Sequence, residues 1–168
     1  MSRLNTLAAL VAAALATAPV QGAETKSAGK ADARQIERGR YLVVVGNCND
    51  CHTAGYAPSE GKTSEKQWLL GDDLGFRGPW GTTYAPNLRL SLPRMTEDQW
   101  VHYARHLKTR PPMPWFTLSQ WTDADLRALY RYVGHLGPAG KAAPDALPPG
   151  QEPRTPVLQW PAPPKGTP

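Results

Sequence analysis

The sequence predicts an all-α domain, a few helices set around a centre that side chains alone do not fill. Three observations carry that reading: three segments with apolar residues at helical spacing, a turn-rich stretch from Thr53 to Arg94 with little periodicity, and a proline-rich ending. A structureless loop as long as Thr53 to Arg94 is unusual in a compact domain built from protein alone. A bound group would take the place of the missing core.

Ahead of the helices stands "MSRLNTLAALVAAALATAPVQGA", with one positive charge at Arg3, an apolar run from Leu7 to Ala18 and then small residues. It reads as a secretory signal peptide cleaved near Gly22 or Ala23, since the run is short for the roughly 20 residues of a bilayer-spanning helix. The expected organisation is a signal peptide over 1–23, a domain over 24–137 and an extended tail over 138–168. No transmembrane anchor is expected after cleavage, and the expected location is the periplasm. The net charge of +5 is mild and scattered, without the aromatic and basic interleaving that nucleic acid requires.

The first helix is expected from about Asp32 to Asn47, where Ile36, Gly39, Arg40 and Val43 share a face and Tyr41, Leu42, Val44 and Val45 widen the apolar content. Gly39 in mid-helix points to close packing against another element. The second helix opens at Thr96 with Gln99 three residues on, a capping box, and lines up Trp100, Tyr103, Ala104 and Leu107. The third starts at Thr122, with Asp125 as capping partner, and places Leu126, Leu129, Tyr130 and Val133 on one stripe up to Gly134, before Gly137 and Pro138 end the run. After it come ten prolines in thirty-one residues, which favour an extended tail. Val157, Leu158 and Trp160 are apolar enough for part of that tail to dock.

The chemistry concentrates in "GNCNDCH", which holds both cysteines of the chain, Cys48 and Cys51, with His52 directly behind. On a helical turn these three positions fall at i, i+3 and i+4, so both sulfurs and the imidazole face one side. Cys-x-x-Cys-His is the attachment signature of c-type haem: each thiol adds to a vinyl group of the porphyrin and the histidine ligates the iron. Structural zinc would ask for four ligands, and a redox dithiol would need no trailing histidine and would sit in a βαβ pattern absent here. A disulfide would close only a tiny loop and stabilise little.

Five residues compete for the sixth iron position. His102 and His106 lie about 200° and about 240° from Trp100 at about 100° per residue, opposite the apolar stripe, and should face water. His135, after the glycine taken to end the last helix, reads as a surface or capping residue. Met95 precedes the Thr96 cap, the place from which an apolar side chain staples onto the first turn. Met113 stands in "RPPMPWF", where Pro111, Pro112 and Pro114 bar helix and stiffen an extended backbone. Met113 is the expected sixth ligand, with core filler as its alternative role.

With the site assembled, the chain resembles the class I c-type cytochromes, and more narrowly the single-haem units of cytochrome subunits that accompany bacterial dehydrogenases. "ERGRYLVVVGNCNDCHT", "GPWGTTYAPNL", "MTEDQWVHYAR" and "PPMPWFTLSQWTDADLRALYRYV" carry the resemblance, in that family's order. It implies that the helices holding Gly39 to Tyr41 and Leu129 to Tyr130 cross, that His52 and Met113 are the axial ligands, and that "GTTYAPN" runs close to the haem. The chain departs from the family at "NLRLSLPR", where such units commonly continue Asn-Ile-Thr-Pro-Asp, so no role for Asn87 carries over. It also has one haem motif where such subunits often carry several.

The expected function is a periplasmic mono-haem electron carrier, not an enzyme, holding one covalent haem c through Cys48, Cys51, His52 and Met113. Its partners would be a redox donor and acceptor, a dehydrogenase or oxidase of the respiratory chain, met as a monomer or as a subunit. Trp80, Tyr84, Trp115 and Phe116 are candidates to exclude water from the haem. Arg105, Lys108 and Arg110 either solvate the end of the second helix, the preferred reading, or steer an acidic partner. Two alternatives stand: a gas- or peroxide-reactive sensing haem, and a subunit docked permanently in a dehydrogenase complex.

Overall fold

A computed structural model describes residues 21–161, with side chains from Lys30 onward apart from Ala31. The expected signal peptide, except for its last three residues, lies outside the described residues. Six helices are described: α1 (Gln21–Val45), α2 (Cys48–His52), α3 (Leu88–Ser91), α4 (Glu97–His106), α5 (Trp115–Leu118) and α6 (Asp123–Leu136). Single 3₁₀ turns occupy Glu65–Gln67 and Leu92–Arg94.

The frame is the crossing of α1 and α6. Gly39 makes it possible: a Cβ there would collide with the Ala128 carbonyl and lie 2.6 Å from the Tyr132 Cβ. Val43 of α1 then packs with Leu126, Leu129, Tyr132 and Val133 of α6 and with Trp100 and Ala104 of α4 in one buried cluster. The α4 start is closed by the expected capping box, Gln99 N donating to Thr96 Oγ1 and Thr96 N to Gln99 Oε1. At α6 the Thr122 hydroxyl accepts from Asp125 N and donates to its carboxylate. Around this frame, Tyr132 OH and Arg40 Nε both donate to the Glu65 carboxylate, at 2.7 and 3.1 Å.

Two expectations change. The helix α1 is described already from Gln21, well before the expected Asp32. The helix α6 runs through Gly134 to Leu136 and ends at Gly137, whose φ of 70° suits a residue without a Cβ. His135 lies in the last helical turn and is exposed, the surface position expected of it.

The all-α expectation also missed a small sheet. Strands β1 (Gly75–Gly78) and β2 (Gly81–Tyr84) form a hairpin, and β3 (Val157–Gln159) from the tail pairs in parallel with β1, giving the order β2-β1-β3. These strands are three or four residues long, with one partner far along the chain, so no local alternation announces them. The tail does dock, through backbone pairing and polar side-chain bonds rather than through Leu158 and Trp160, which stay exposed.

Candidate functional site

The attachment motif sits where α1 is forced to break. Asn47 takes the left-handed conformation, φ 55°, which a short polar side chain tolerates, and α2 begins at the next residue. Gly46 just before it admits the Trp121 ring, which a Cβ would meet at 2.7 Å. Cys48, Cys51 and His52 therefore share a single helical turn tied to the α5–α6 corner. Both cysteines are free thiols and half-buried, whereas His52 is buried at 8% exposure.

Burial makes these thiols poor nucleophiles by themselves: it pushes Cys48 up to about 12 and raises Cys51 as well, with Asp50 adding to both. An activated redox dithiol needs the opposite shift. Among the described residues no group of three or more His, Cys, Asp or Glu side chains could hold a metal ion, so structural zinc finds no ligand set there.

His52 is oriented by a backbone carbonyl. Its Nδ1 lies 2.8 Å from the Pro86 oxygen, an acceptor only, so Nδ1 carries the proton and Nε2 is left as a lone-pair donor. Burial lowers its pKa while the Pro86 contact opposes, so the imidazole is neutral, the form that ligates a metal. Gly71, with φ 79°, holds this arrangement together: its N–H donates to the His52 carbonyl at 2.8 Å, and a Cβ would come within 2.9 Å of both Asn87 N and Ala85 O. Sequence reasoning missed Gly71 and Pro86 as positioning residues. The only signals were the turn residues of "LGDDLG" and the resemblance that brought "GTTYAPN" to the site.

Asn87, left without a role by the sequence, caps α3 through Arg89 N and Leu90 N and donates to the Ala139 and Lys141 carbonyls of the tail. Met113 lies in the loop between α4 and α5, half-buried against the same core cluster as Cys48. Met95 also packs against that cluster while its carbonyl accepts from Tyr130 OH. His102 and His106 are exposed, as expected from their place on the wheel. Trp80, Tyr84 and Trp115 are half-buried, but Phe116 is 60% exposed and does not shield an interior from water.

The basic trio corrects the reading of a solvated helix end. Arg105 pairs with Asp123 at 2.6 Å and donates to Ser119 O, Arg110 donates to two backbone carbonyls, and Lys108 alone stands exposed without a described bond.

The residues present fit a haem. Two free thiols and one neutral imidazole form the donor set, and three buried polar atoms lack partners among the described residues: Asn49 Nδ2, Trp80 Nε1 and Thr82 Oγ1. Orphaned donors cost roughly 1–3 kcal/mol each. The last two lie on the segment that also delivers Pro86 to His52, and unpartnered polar atoms there suit a guest carrying acceptors, as porphyrin carboxylates do.

Residues 34–133 match the family described as cytochrome c oxidase, cbb3-type, subunit III. The chain belongs to this cytochrome c family. It is also 28% identical to the alcohol dehydrogenase (quinone) cytochrome c subunit of Gluconacetobacter polyoxogenes, over 78% of this chain and 26% of that one. The corresponding subunit of Komagataeibacter europaeus is similar to the same extent, 28% over 78% and 26%. With the fructose dehydrogenase cytochrome subunit of Gluconobacter japonicus the chain shares 29% identity over 58% of its length and 20% of the relative's. The chain thus spans about a quarter or less of the length of these relatives. No solved structure matches it significantly. Residues 34–133 thus form a class I c-type cytochrome domain, a unit of the electron-transfer kind.

Proposed function

We propose that this cytochrome carries single electrons in the periplasm with one haem c, attached to Cys48 and Cys51 and ligated by His52 and Met113, in partnership with a dehydrogenase. The observation that carries the reading is the His52 imidazole, neutral and fixed by Pro86 through Nδ1, on the same helical turn as two free thiols. A haem held there supplies reversible one-electron exchange at its iron, at a potential that His/Met ligation raises.

The chain's own residues do the rest. Cys48 and Cys51 anchor the group against loss from a small domain, Pro86 and Gly71 keep the imidazole from turning, and the stiff Met113 loop offers a thioether. The Asn49, Thr53 and Leu69 chain of hydrogen bonds, Thr53 Oγ1 to Asn49 Oδ1 at 2.7 Å and Leu69 N to Thr53 Oγ1 at 2.8 Å, locks the turn from below. Rigid surroundings keep reorganisation small when an electron comes or goes.

The relatives are cytochrome subunits of dehydrogenases, which supports the docked-subunit form over the free shuttle. The sensing alternative lacks support: the histidines that could act as distal acid or base, His102 and His106 on α4 and His135 on α6, are exposed. Export and cleavage near Gly22 or Ala23 remain part of the proposal.

The test is spectroscopic. The ferric protein should show a weak near-infrared sulfur-to-iron band that Met113→Ala abolishes and Met95→Ala keeps. Loss of the band in Met95→Ala alone, or ready carbon monoxide binding by the native ferrous protein, overturns the assignment.

A further inference from the structure

The loop that carries Met113 makes few bonds of its own. Between the end of α4 at His106 and the start of α5 at Trp115, the hydrogen bonds described upstream of Met113 that leave the loop come from two places. Thr83 Oγ1 of β2 donates to the Pro111 carbonyl at 2.7 Å, and Arg110 Nη1 donates to the Trp80 carbonyl at 2.9 Å and to the Leu147 carbonyl at 3.1 Å.

Arg110 thus meets three segments at one point: the methionine loop, the β1–β2 hairpin and the C-terminal tail. The tail end of this junction is itself fixed. Leu147 and Thr82 exchange both backbone bonds, at 2.8 and 3.0 Å, and Gly81 leaves room for the Leu147 carbonyl where a Cβ would collide. Further along, Arg77 forms a bidentate pair with Glu152, and Tyr84 and Thr155 share a hydroxyl bond at 2.9 Å, so the tail is bound to the hairpin at several points between Leu147 and Trp160.

Arg110 is half-buried and has no carboxylate partner among the described residues. A guanidinium spent on two main-chain carbonyls fixes backbone position. The residues that follow transmit that position, because Pro111, Pro112 and Pro114 hold φ and leave few degrees of freedom around Met113. We propose that Arg110, seconded by Thr83, is a positioning residue that locks the Met113 loop onto the hairpin and tail and so sets how firmly the methionine sulfur holds the iron.

This inference rests on the assignment of Met113 as ligand, and the experiment separates the two. Imidazole is titrated into the haem-loaded, full-length ferric protein, with the near-infrared sulfur-to-iron band reporting displacement of methionine. Arg110→Ala should bind imidazole about tenfold more tightly than wild type, the effect of one to two lost hydrogen bonds on the competing ligand. Arg110→Lys should recover part of the difference. Lys108→Ala, which removes the same charge from the same loop but no described bond, should match wild type. Thr83→Val, nearly isosteric, should shift affinity the same way by several-fold and decides the matter if Arg110→Ala does not accumulate.

A wild-type imidazole affinity in Arg110→Ala, or in Thr83→Val where that variant decides, overturns the inference and leaves the Met113 assignment standing. An equal shift in Lys108→Ala overturns it too, by making charge the cause. A wild-type protein with no band overturns the ligand assignment and this inference with it.

Discussion

Gly39, Gly71 and Thr82 each mark a place where one atom more or less decides the outcome. At Gly39 an added methyl meets the Ala128 carbonyl and the Tyr132 side chain, neither of which can yield without moving α6. Gly39→Ala should cost about 1–3 kcal/mol in urea denaturation, the usual range for overpacking, with an unchanged denaturant slope. Thr82 gives a test of opposite kind. Its buried hydroxyl has no partner among the described residues, so in a protein without haem Thr82→Val would cost nothing. If the hydroxyl meets an acceptor on the bound group, Thr82→Val should destabilise the haem-loaded protein by about 1 kcal/mol. Equal or higher stability of that variant would remove the argument from orphaned donors.

Between elements, the α1–α6 crossing is clasped by Arg38, whose Nε donates to Asp125 at 2.9 Å. That hydrogen bond, helped by the one from Thr122 and opposed by burial, holds the Asp125 carboxyl below the usual carboxylate range. The unfolded chain therefore takes up this proton at a higher pH than the folded one. The stabilisation is present above the ordinary carboxyl range and is lost as pH falls through the depressed folded value. The gap in urea midpoint between wild type and Asp125→Asn should be full at about pH 7 and should close from about pH 4 downward. A gap independent of pH would show that the carboxylate charge contributes nothing to the clasp.

The same elements show what a sequence can disclose. The starts of α4 and α6 were legible because Thr96 with Gln99, and Thr122 with Asp125, satisfy helix-end donors within four residues. Thr122→Ala should accordingly cost about 1 kcal/mol of stability in thermal or urea unfolding. The motif in α2 was legible for the same reason: its chemistry is local. The hairpin, the docking of β3, the turn at Gly71 and the junction at Arg110 were not, because each exists only through a partner remote in the chain. Arg110 looked like one more charge at a helix end until Trp80 and Leu147 arrived beside it.

Across the whole molecule, the proposed chemistry depends on one short turn, α2, that follows the break at the end of α1. Among the described residues no helix is long and apolar enough to cross a membrane. If the protein works docked to a dehydrogenase, it should co-purify with a flavin or quinone enzyme rather than run as a free monomer on gel filtration. The most direct test of the account is of the bond between pigment and polypeptide. Protein from a host competent to mature c-type cytochromes is denatured, extracted with acid-acetone and weighed by mass spectrometry. The account predicts colour that stays with the chain and a mass increased by one haem, both lost when Cys48 and Cys51 are replaced by serine. A colourless chain of unmodified mass would contradict it.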